Sequence, residues 1–316
     1  MRLVCFGTPA LAAEYLAALA AHHDVAGVVT QPDRRLGRGQ KLVTPPLKQA
    51  ALALGVPVLQ PGRLSDPGWR EELRAWAADV FVVVAYGHLL PRSLIKMPAL
   101  ASVNVHYSLL PQFRGAAPVQ HALLQGLTRT GVTVQYMAVE LDAGDIILQQ
   151  ATDIDAQDNA ATLTARLTKL GISLVLEALD LIAQGQAVGR PQDQAAATCA
   201  PALTKQEGII DWCRPAQTIV NQVRACFPWP GATSALAGRY LKITRAAVVE
   251  GVVSRHEGNC GEIVEIRPVE GFVVQARGGA VLVQELQPAG RRVMAAGEFL
   301  RGARLSAGMR LESVAG

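Results

Sequence analysis

Leu3-Val4-Cys5-Phe6-Gly7-Thr8-Pro9 begins with an apolar run that stops at a glycine and a proline. A short run of this kind, bounded by turn residues, reads as a buried strand. Thr8 and Pro9 then read as a helix N-cap and first helical position, with Leu11, Leu16 and Leu19 on the inward side. The alternation of strand and helix continues outward from there. Residues 25–30 form a second strand, and Thr44-Pro45 opens a second helix that stops near Gly55. Residues 56–59, 80–85, 102–106 and 132–139 supply further strands, with helical runs between several of them. Asp158 or Asn159 caps a long helix carrying Leu163, Leu167, Leu170, Leu174 and Leu181. The pattern predicts an α/β fold, a mostly parallel sheet of Rossmann-like type with helices on both faces.

After Gly185 the periodicity fades into Gly189-Arg190-Pro191-Gln192-Asp193-Gln194 and a run of alanines. That composition predicts a linker over 188–204, separating a domain at 1–187 from one at 205–316. A short helix over 215–226 opens the second domain. Short β-branched runs at 240–243, 247–249, 260–266, 272–275 and 281–286 follow, punctuated by glycines, as in a small β-barrel.

A length of 316 residues suits two domains, and 50% hydrophobic content supplies both cores. No apolar run reaches the roughly 18–20 residues that span a bilayer. The start of the chain lacks a basic segment followed by a long apolar one, which argues against secretion. Five scattered cysteines without a C-x-x-C pair argue for a reducing compartment and against a zinc site or disulfide framework. A cytoplasmic protein is expected. The formal charge of +4 is unevenly placed: residues 1–204 balance 16 Lys+Arg with 16 Asp+Glu, whereas 205–316 carry 14 against 10. Segregated positive charge suits a polyphosphate partner, although from charge alone a solvated basic surface is the commoner explanation.

The chemistry concentrates in Asn104-Val105-His106-Tyr107-Ser108-Leu109-Leu110-Pro111, followed by Arg114-Gly115 and by Leu141-Asp142-Ala143-Gly144-Asp145. Period-two alternation puts Asn104 and His106 on one strand face, just before a loop marked by Pro111 and Gly115. An amide to bind an oxyanion, an imidazole to move a proton and a carboxylate to orient it suit acyl transfer to an amine. On its own Asp142 serves equally as a turn cap beside Gly144. The loop Gln31-Pro32-Asp33-Arg34-Arg35-Leu36-Gly37-Arg38-Gly39-Gln40-Lys41 carries four cations and one anion, and from composition alone is an ordinary exposed loop. Neither G-x-x-x-x-G-K-[ST] nor G-x-G-x-x-G occurs in the loop or the opening strand, so phosphate-cradle and dinucleotide readings are set aside. Trp212, Phe227, Trp229 and Tyr240 read as core and interdomain packing. His22, His23, His88, His121 and His256 read as surface residues.

Asn-x-His, Ser-Leu-Leu-Pro-x-x-Arg-Gly and Leu-Asp-x-Gly-Asp together resemble the folate-dependent formyltransferase family. Phe6-Gly7-Thr8-Pro9, Thr30-Gln31-Pro32-Asp33-Arg34, Val84-Ala85-Tyr86-Gly87, Asp211-Trp212, Phe227-Pro228-Trp229-Pro230-Gly231 and Gln287-Pro288-Ala289-Gly290 extend the resemblance. They narrow it to the branch that acts on methionyl-tRNA, from residue 6 to residue 290. The resemblance implies 10-formyltetrahydrofolate as formyl donor, initiator methionyl-tRNA as acceptor and partner, no metal, and a monomer. It assigns catalysis to Asn104, His106 and Asp142, and folate binding to Ser108, Leu109, Leu110, Pro111 and Gly115. It assigns tRNA contacts to Arg34, Arg35, Arg38 and Lys41, and an OB-like tRNA-gripping barrel to the second domain. Tyr107 departs from the family, which usually has Gly or Pro there; its ring is expected to narrow or cover the folate entrance. Two rivals stand beside this reading: a formyltransferase acting on an amino-sugar nucleotide, and a non-catalytic folate- or nucleic-acid-binding protein.

Overall fold

The computed structural model describes residues 1–36, 40–249 and 260–314, so Arg38 and His256 lie outside the described residues. In chain order the elements are β1 (Arg2–Gly7), α1 (Ala10–His22), β2 (Asp24–Val29), β3 (Arg34–Leu36), β4 (Lys41–Val43), α2 (Pro46–Ala53), β5 (Val58–Leu59) and α3 (Gly68–Ala75). They continue with β6 (Val80–Val84), α4 (Arg92–Ile95), β7 (Ala101–His106), α5 (Pro118–Leu124), β8 (Arg129–Tyr136), β9 (Ile146–Asp153) and α6 (Ala160–Ala183). Then come α7 (Ala216–Cys226), β10 (Ala232–Leu236), β11 (Arg239–Val249), β12 (Ile263–Arg267), β13 (Gly271–Ala276), β14 (Gly279–Pro288), β15 (Met294–Ala295), α8 (Ala296–Gly302) and β16 (Leu311–Glu312). The chain divides into two compact units. One comprises Met1–Pro118, Arg129–Asp153 and Thr164–Pro201; the other Val119–Thr128, Ile154–Leu163 and Ala202–Gly316.

The first unit is built on a sheet ordered β5-β2-β1-β6-β7-β8-β9. Its pairs are parallel from β5 through β7, and antiparallel where β8 and β9 extend the edge. Alternation distributes the apolar strands between two cores. Val4, Phe6, Phe81 and Val83 face Leu73 and Trp76 at α3 and Leu94 of α4. On the opposite face Tyr107, just beyond β7, reaches Tyr15 of α1 and Thr168 of α6. Helices therefore cover both faces, the Rossmann-like arrangement.

Several boundaries differ from the sequence expectation. Thr8 does not cap α1: Pro9 holds the cap position, and the Thr8 hydroxyl donates to the Tyr86 carbonyl instead. Asn159 caps α6, its Oδ1 accepting from the Ala161 and Thr162 amides. Strand β8 ends at Tyr136, leaving Val139 exposed beyond it. The predicted linker is not free chain, because Arg190 bridges Ile146, Cys199 bridges Arg114, and Gln192 is buried. Backbone and amide hydrogen bonds hold it, and hydrophobic periodicity cannot register those.

The second unit is an antiparallel sheet ordered β12-β13-β14-β11-β10-β16, with β15 pairing β14. Hydrogen bonds between residues 261–263 and 308–311 bring the chain beside β16 back to β12, so the sheet curls into a small barrel. Ile219, Val220 and Val223 of α7 join Phe272, Val274, Val281 and Val283 in its core. Trp212 is buried there and donates to Ser234. Trp229 and Tyr240 are exposed, against the expectation of packing. Alternation explains Tyr240: Leu241 and Ile243 point inward, which turns Tyr240 outward. No described helix is long and apolar enough to cross a membrane.

Candidate active site

Strand β7 presents Ser102, Asn104 and His106 on one face. The Ser102 hydroxyl donates to the Ile95 carbonyl at the end of α4, which identifies that face. Antiparallel register sets Gln135 of β8 directly opposite Asn104, and Thr133 opposite His106. Asp142 returns to this row from the turn after β8. Its Oδ1 accepts from Asn104 Nδ2 (3.4 Å) and Gln135 Nε2 (3.3 Å). Its Oδ2 accepts from the Gly115 amide (2.8 Å) and lies 3.5 Å from His106 Nδ1. Thus the structure brings Asn104, His106 and Asp142 together, and the Asp142 carboxylate does more than cap a turn.

Both ring nitrogens of His106 face acceptors. Nε2 lies 2.8 Å from the Phe113 carbonyl and Nδ1 a longer 3.5 Å from Asp142 Oδ2; both oxygens accept, and the shorter contact favours the proton on Nε2 in the neutral ring. Nδ1 is then the bare nitrogen, and it faces Asp142. The carbonyl at Phe113 sets the tautomer, and the Asp142 carboxylate is left to face whatever charge the ring acquires. The His106 side chain is only 7% exposed and that of Asp142 only 11%, so little water screens the pair.

Two glycines in the quoted motifs are required by the backbone. Gly115 has φ 122°, and a Cβ there would lie 2.7 Å from the Ala200 carbonyl oxygen. At Gly144 a Cβ would lie 1.7 Å from the Tyr136 carbonyl oxygen, so the turn carrying Asp142 lies tight against the end of β8. Asp142 itself has φ 50°, a left-handed conformation uncommon for a non-glycine residue.

The polar groups of residues 108–111 are largely engaged by neighbouring residues. The Ser108 hydroxyl donates to the Gln112 carbonyl, and Thr133 joins the Ser108 carbonyl to the Leu110 amide. Gln149 donates to the Leu110 carbonyl, and the Thr198 amide to that of Pro111. Leu109 and Pro111 therefore offer mainly half-buried apolar surface rather than free polar groups. Tyr107 does not cover an entrance. Alternation turns its ring into the core, where its hydroxyl meets Thr168 Oγ1 at 2.9 Å and Tyr15 at 3.3 Å. Its φ is not left-handed, and burial pushes both phenols above their ordinary pKa.

Arg34, Arg35 and Lys41 are exposed on the β3–β4 hairpin, paired in the register Arg34↔Val43, Arg35↔Leu42 and Leu36↔Lys41. Asp33, the loop's one anion, is bound by Gln60 and Lys48 at the hairpin base, and those bonds hold its carboxyl below the usual range. It therefore anchors the hairpin base rather than pairing with Arg34, Arg35 or Lys41. Gln135 and Gln192 were not singled out in sequence. The β7–β8 register would have pointed to Gln135; no sequence signal marks Gln192. Among the described residues no cluster of three or more His, Cys, Asp or Glu could hold a metal.

Residues 1–179 match the family model described as formyl transferase, and residues 202–304 match the formyl transferase C-terminal domain. The chain belongs to the formyl transferase family. This formyl transferase is 46% identical to the methionyl-tRNA formyltransferase of Moorella thermoacetica over 96% of both chains. It is 42% identical to that of Geobacter sulfurreducens, over 98% of this chain and 96% of the relative. Among solved structures it resembles HypX from Aquifex aeolicus in complex with tetrahydrofolic acid, at TM-score 0.66 and 19% identity. That match covers 98% of this formyl transferase and 50% of HypX. It also resembles an N-formyltransferase from Helicobacter canadensis complexed with folinic acid and dTDP-3-aminofucose. There the TM-score is 0.63 at 18% identity, over 90% of this chain and 98% of the other. At such identities the structural likeness is one of fold.

Proposed function

We propose that this formyl transferase moves a formyl group from 10-formyltetrahydrofolate to the α-amino group of the methionine on initiator tRNA. The observation that carries the reading is one carboxylate, Asp142, touching both Asn104 and facing the bare nitrogen of His106, in a chain whose relatives of that name match it end to end. The amine attacks the formyl carbon, forming a new C–N bond and a tetrahedral oxyanion. Asn104 donates one N–H to Asp142 and turns the other toward the oxyanion. His106 Nδ1 takes the proton lost by the amine, facing Asp142 as it becomes charged. Collapse breaks the bond to N10, and His106 returns the proton to that leaving nitrogen.

In this reading Ser108, Leu109, Leu110, Pro111 and Gly115 shape the donor side, and Arg34, Arg35, Arg38 and Lys41 meet tRNA phosphates. Residues 1–187 carry the chemistry, 188–204 connect, and 205–316 grip the RNA. The protein acts as a monomer in the cytoplasm, in keeping with its free cysteines.

The test is incubation with 10-formyltetrahydrofolate and charged initiator tRNA, scored for blocked methionine, with an amino-sugar nucleotide as competing acceptor. Formylation of the tRNA alone is expected; preference for the sugar overturns the acceptor assignment. His106→Ala is expected to abolish turnover with folate affinity largely intact. Substantial residual activity removes His106 from the role.

A further inference from the structure

Gln192 lies between the segments matched by the two family models, in the stretch that reads as a linker. It is nevertheless buried at 7% exposure, and both polar atoms of its side chain are used. Nε2 donates to the Asp142 carbonyl (2.9 Å), the Gly144 carbonyl (2.7 Å) and Gln135 Oε1 (3.1 Å). Oε1 accepts from Arg114 Nε (3.1 Å) and Nη2 (2.6 Å). One amide therefore grips two separate loops. The first is the Asp142–Gly144 turn. The second is the tripeptide Phe113-Arg114-Gly115, held through the Arg114 guanidinium.

Those two loops supply nearly everything that fixes the His106 ring and its partner. Phe113 provides the carbonyl on Nε2, Gly115 the amide on Asp142 Oδ2, and Asp142 the carboxylate at Nδ1. A shift of the Phe113–Gly115 segment bears on both ends of the imidazole, and a shift of the Asp142 turn on its Nδ1 end. Asp142 is in a left-handed conformation, which surrounding structure must maintain. Gln135 closes the circuit, since it donates to the Asp142 carboxylate and accepts from Gln192.

We propose that Gln192 is a positioning residue of the transfer reaction, its amide N–H groups locking Asp142 against His106 from behind the turn. This rests on the formyl-transfer reading and adds to it a residue outside the recognised motifs. Gln192 touches no reacting atom, so its removal leaves binding intact and slows the chemical step. A misplacement of about 1 Å can cost on the order of a hundredfold in rate.

Two variants test this. Gln192→Ala removes the whole clamp. Gln192→Glu keeps the length and the acceptor for Arg114 but has no N–H for the two carbonyls. Both are expected to lower kcat by about tenfold or more, with KM for donor and charged tRNA within about twofold. A Gln192→Glu enzyme with wild-type kcat overturns the proposal, because packing and the Arg114 contact then suffice. A rise in KM at unchanged kcat also overturns it. If neither variant folds, Gln192 is structural and the proposal ends. Absence of formylation by the unaltered protein would strike the formyl-transfer reading itself. An inactive His106→Ala beside unimpaired Gln192 variants strikes only this inference.

Discussion

Each polar atom of Asp142 has a different task, and substitutions around it separate those tasks. Asn104→Ala removes the proposed oxyanion donor and one bond to Oδ1, so kcat is expected to fall on the order of 10²–10³-fold, about 3–4 kcal/mol of transition-state stabilisation. Single-turnover kinetics check this; a loss below about fivefold removes Asn104 from that position. Gly115→Ala acts differently. The methyl group meets the Ala200 carbonyl at 2.7 Å and the residue must hold φ 122°. A cost of about 1–3 kcal/mol in stability, with loss of the amide bond to Asp142, is expected. Thermal unfolding beside activity measures both, and an unchanged Tm counts against the close approach. Sequence made Asn104, His106 and Asp142 legible because their motifs are contiguous and their chemistry is complementary. It could not reveal that a carbonyl, Phe113, sets the tautomer, because every residue has one.

Strand β7 shows how far period-two reasoning reaches at the scale of an element. It placed Asn104 and His106 together, and the same alternation sends Tyr107 to the opposite face. Tyr107 does not cover the entrance because the alternation of β7 carries on one residue further and turns the ring to the opposite face. Its hydroxyl links the chain beyond β7 to α1 and α6, so Tyr107→Phe is expected to cost about 1 kcal/mol of stability and leave kcat unchanged. A drop in kcat at constant Tm would return the ring to the active site. Burial raises the folded pKa of Tyr15 and Tyr107 above the unfolded value near 10. The neutral phenols therefore stabilise the fold fully below about pH 10, and that contribution is lost as pH rises toward the folded values. Phenolate absorbance from these two rings is expected to rise together with unfolding in an alkaline titration, and earlier ionisation in the folded state contradicts their burial. Strand β9 escaped notice for a related reason. As an edge strand it carries Gln149, Gln150 and Thr152 without clean apolar alternation. In the β3–β4 hairpin Arg34, Arg35, Lys41, Leu42 and Val43 are likewise exposed and leave no pattern. Asp33→Ala, which frees the hairpin base from Lys48 and Gln60, is expected to raise KM for charged tRNA several-fold while KM for the formyl donor stays constant.

For the whole molecule, charge distribution was readable from sequence, whereas the interleaving of segments in the two compact units was not. The long helices and the barrel strands announced themselves through apolar pattern, whereas the hydrogen bonds of Arg190, Gln192 and Cys199, within the stretch expected as a linker over 188–204, leave no such pattern. Charge leads to the last expectation. The excess of 14 Lys+Arg over 10 Asp+Glu lies wholly within residues 205–316, and the hairpin adds exposed Arg34, Arg35 and Lys41. If both regions neutralise phosphates, counterion release makes kcat/KM for charged tRNA fall as salt rises, by about 0.7–0.9 logarithmic units per decade for each phosphate engaged. The formyl donor makes few such contacts, so its KM is expected to stay nearly flat over the same range. Replacing Arg34 and Arg35 with Gln isolates the hairpin's share and is expected to reduce the slope by about two contacts' worth. A slope that ignores those substitutions leaves the salt effect to residues 205–316. A flat profile in the unaltered protein means that the positive charge is solvated surface, and tRNA must then be held by shape and hydrogen bonding.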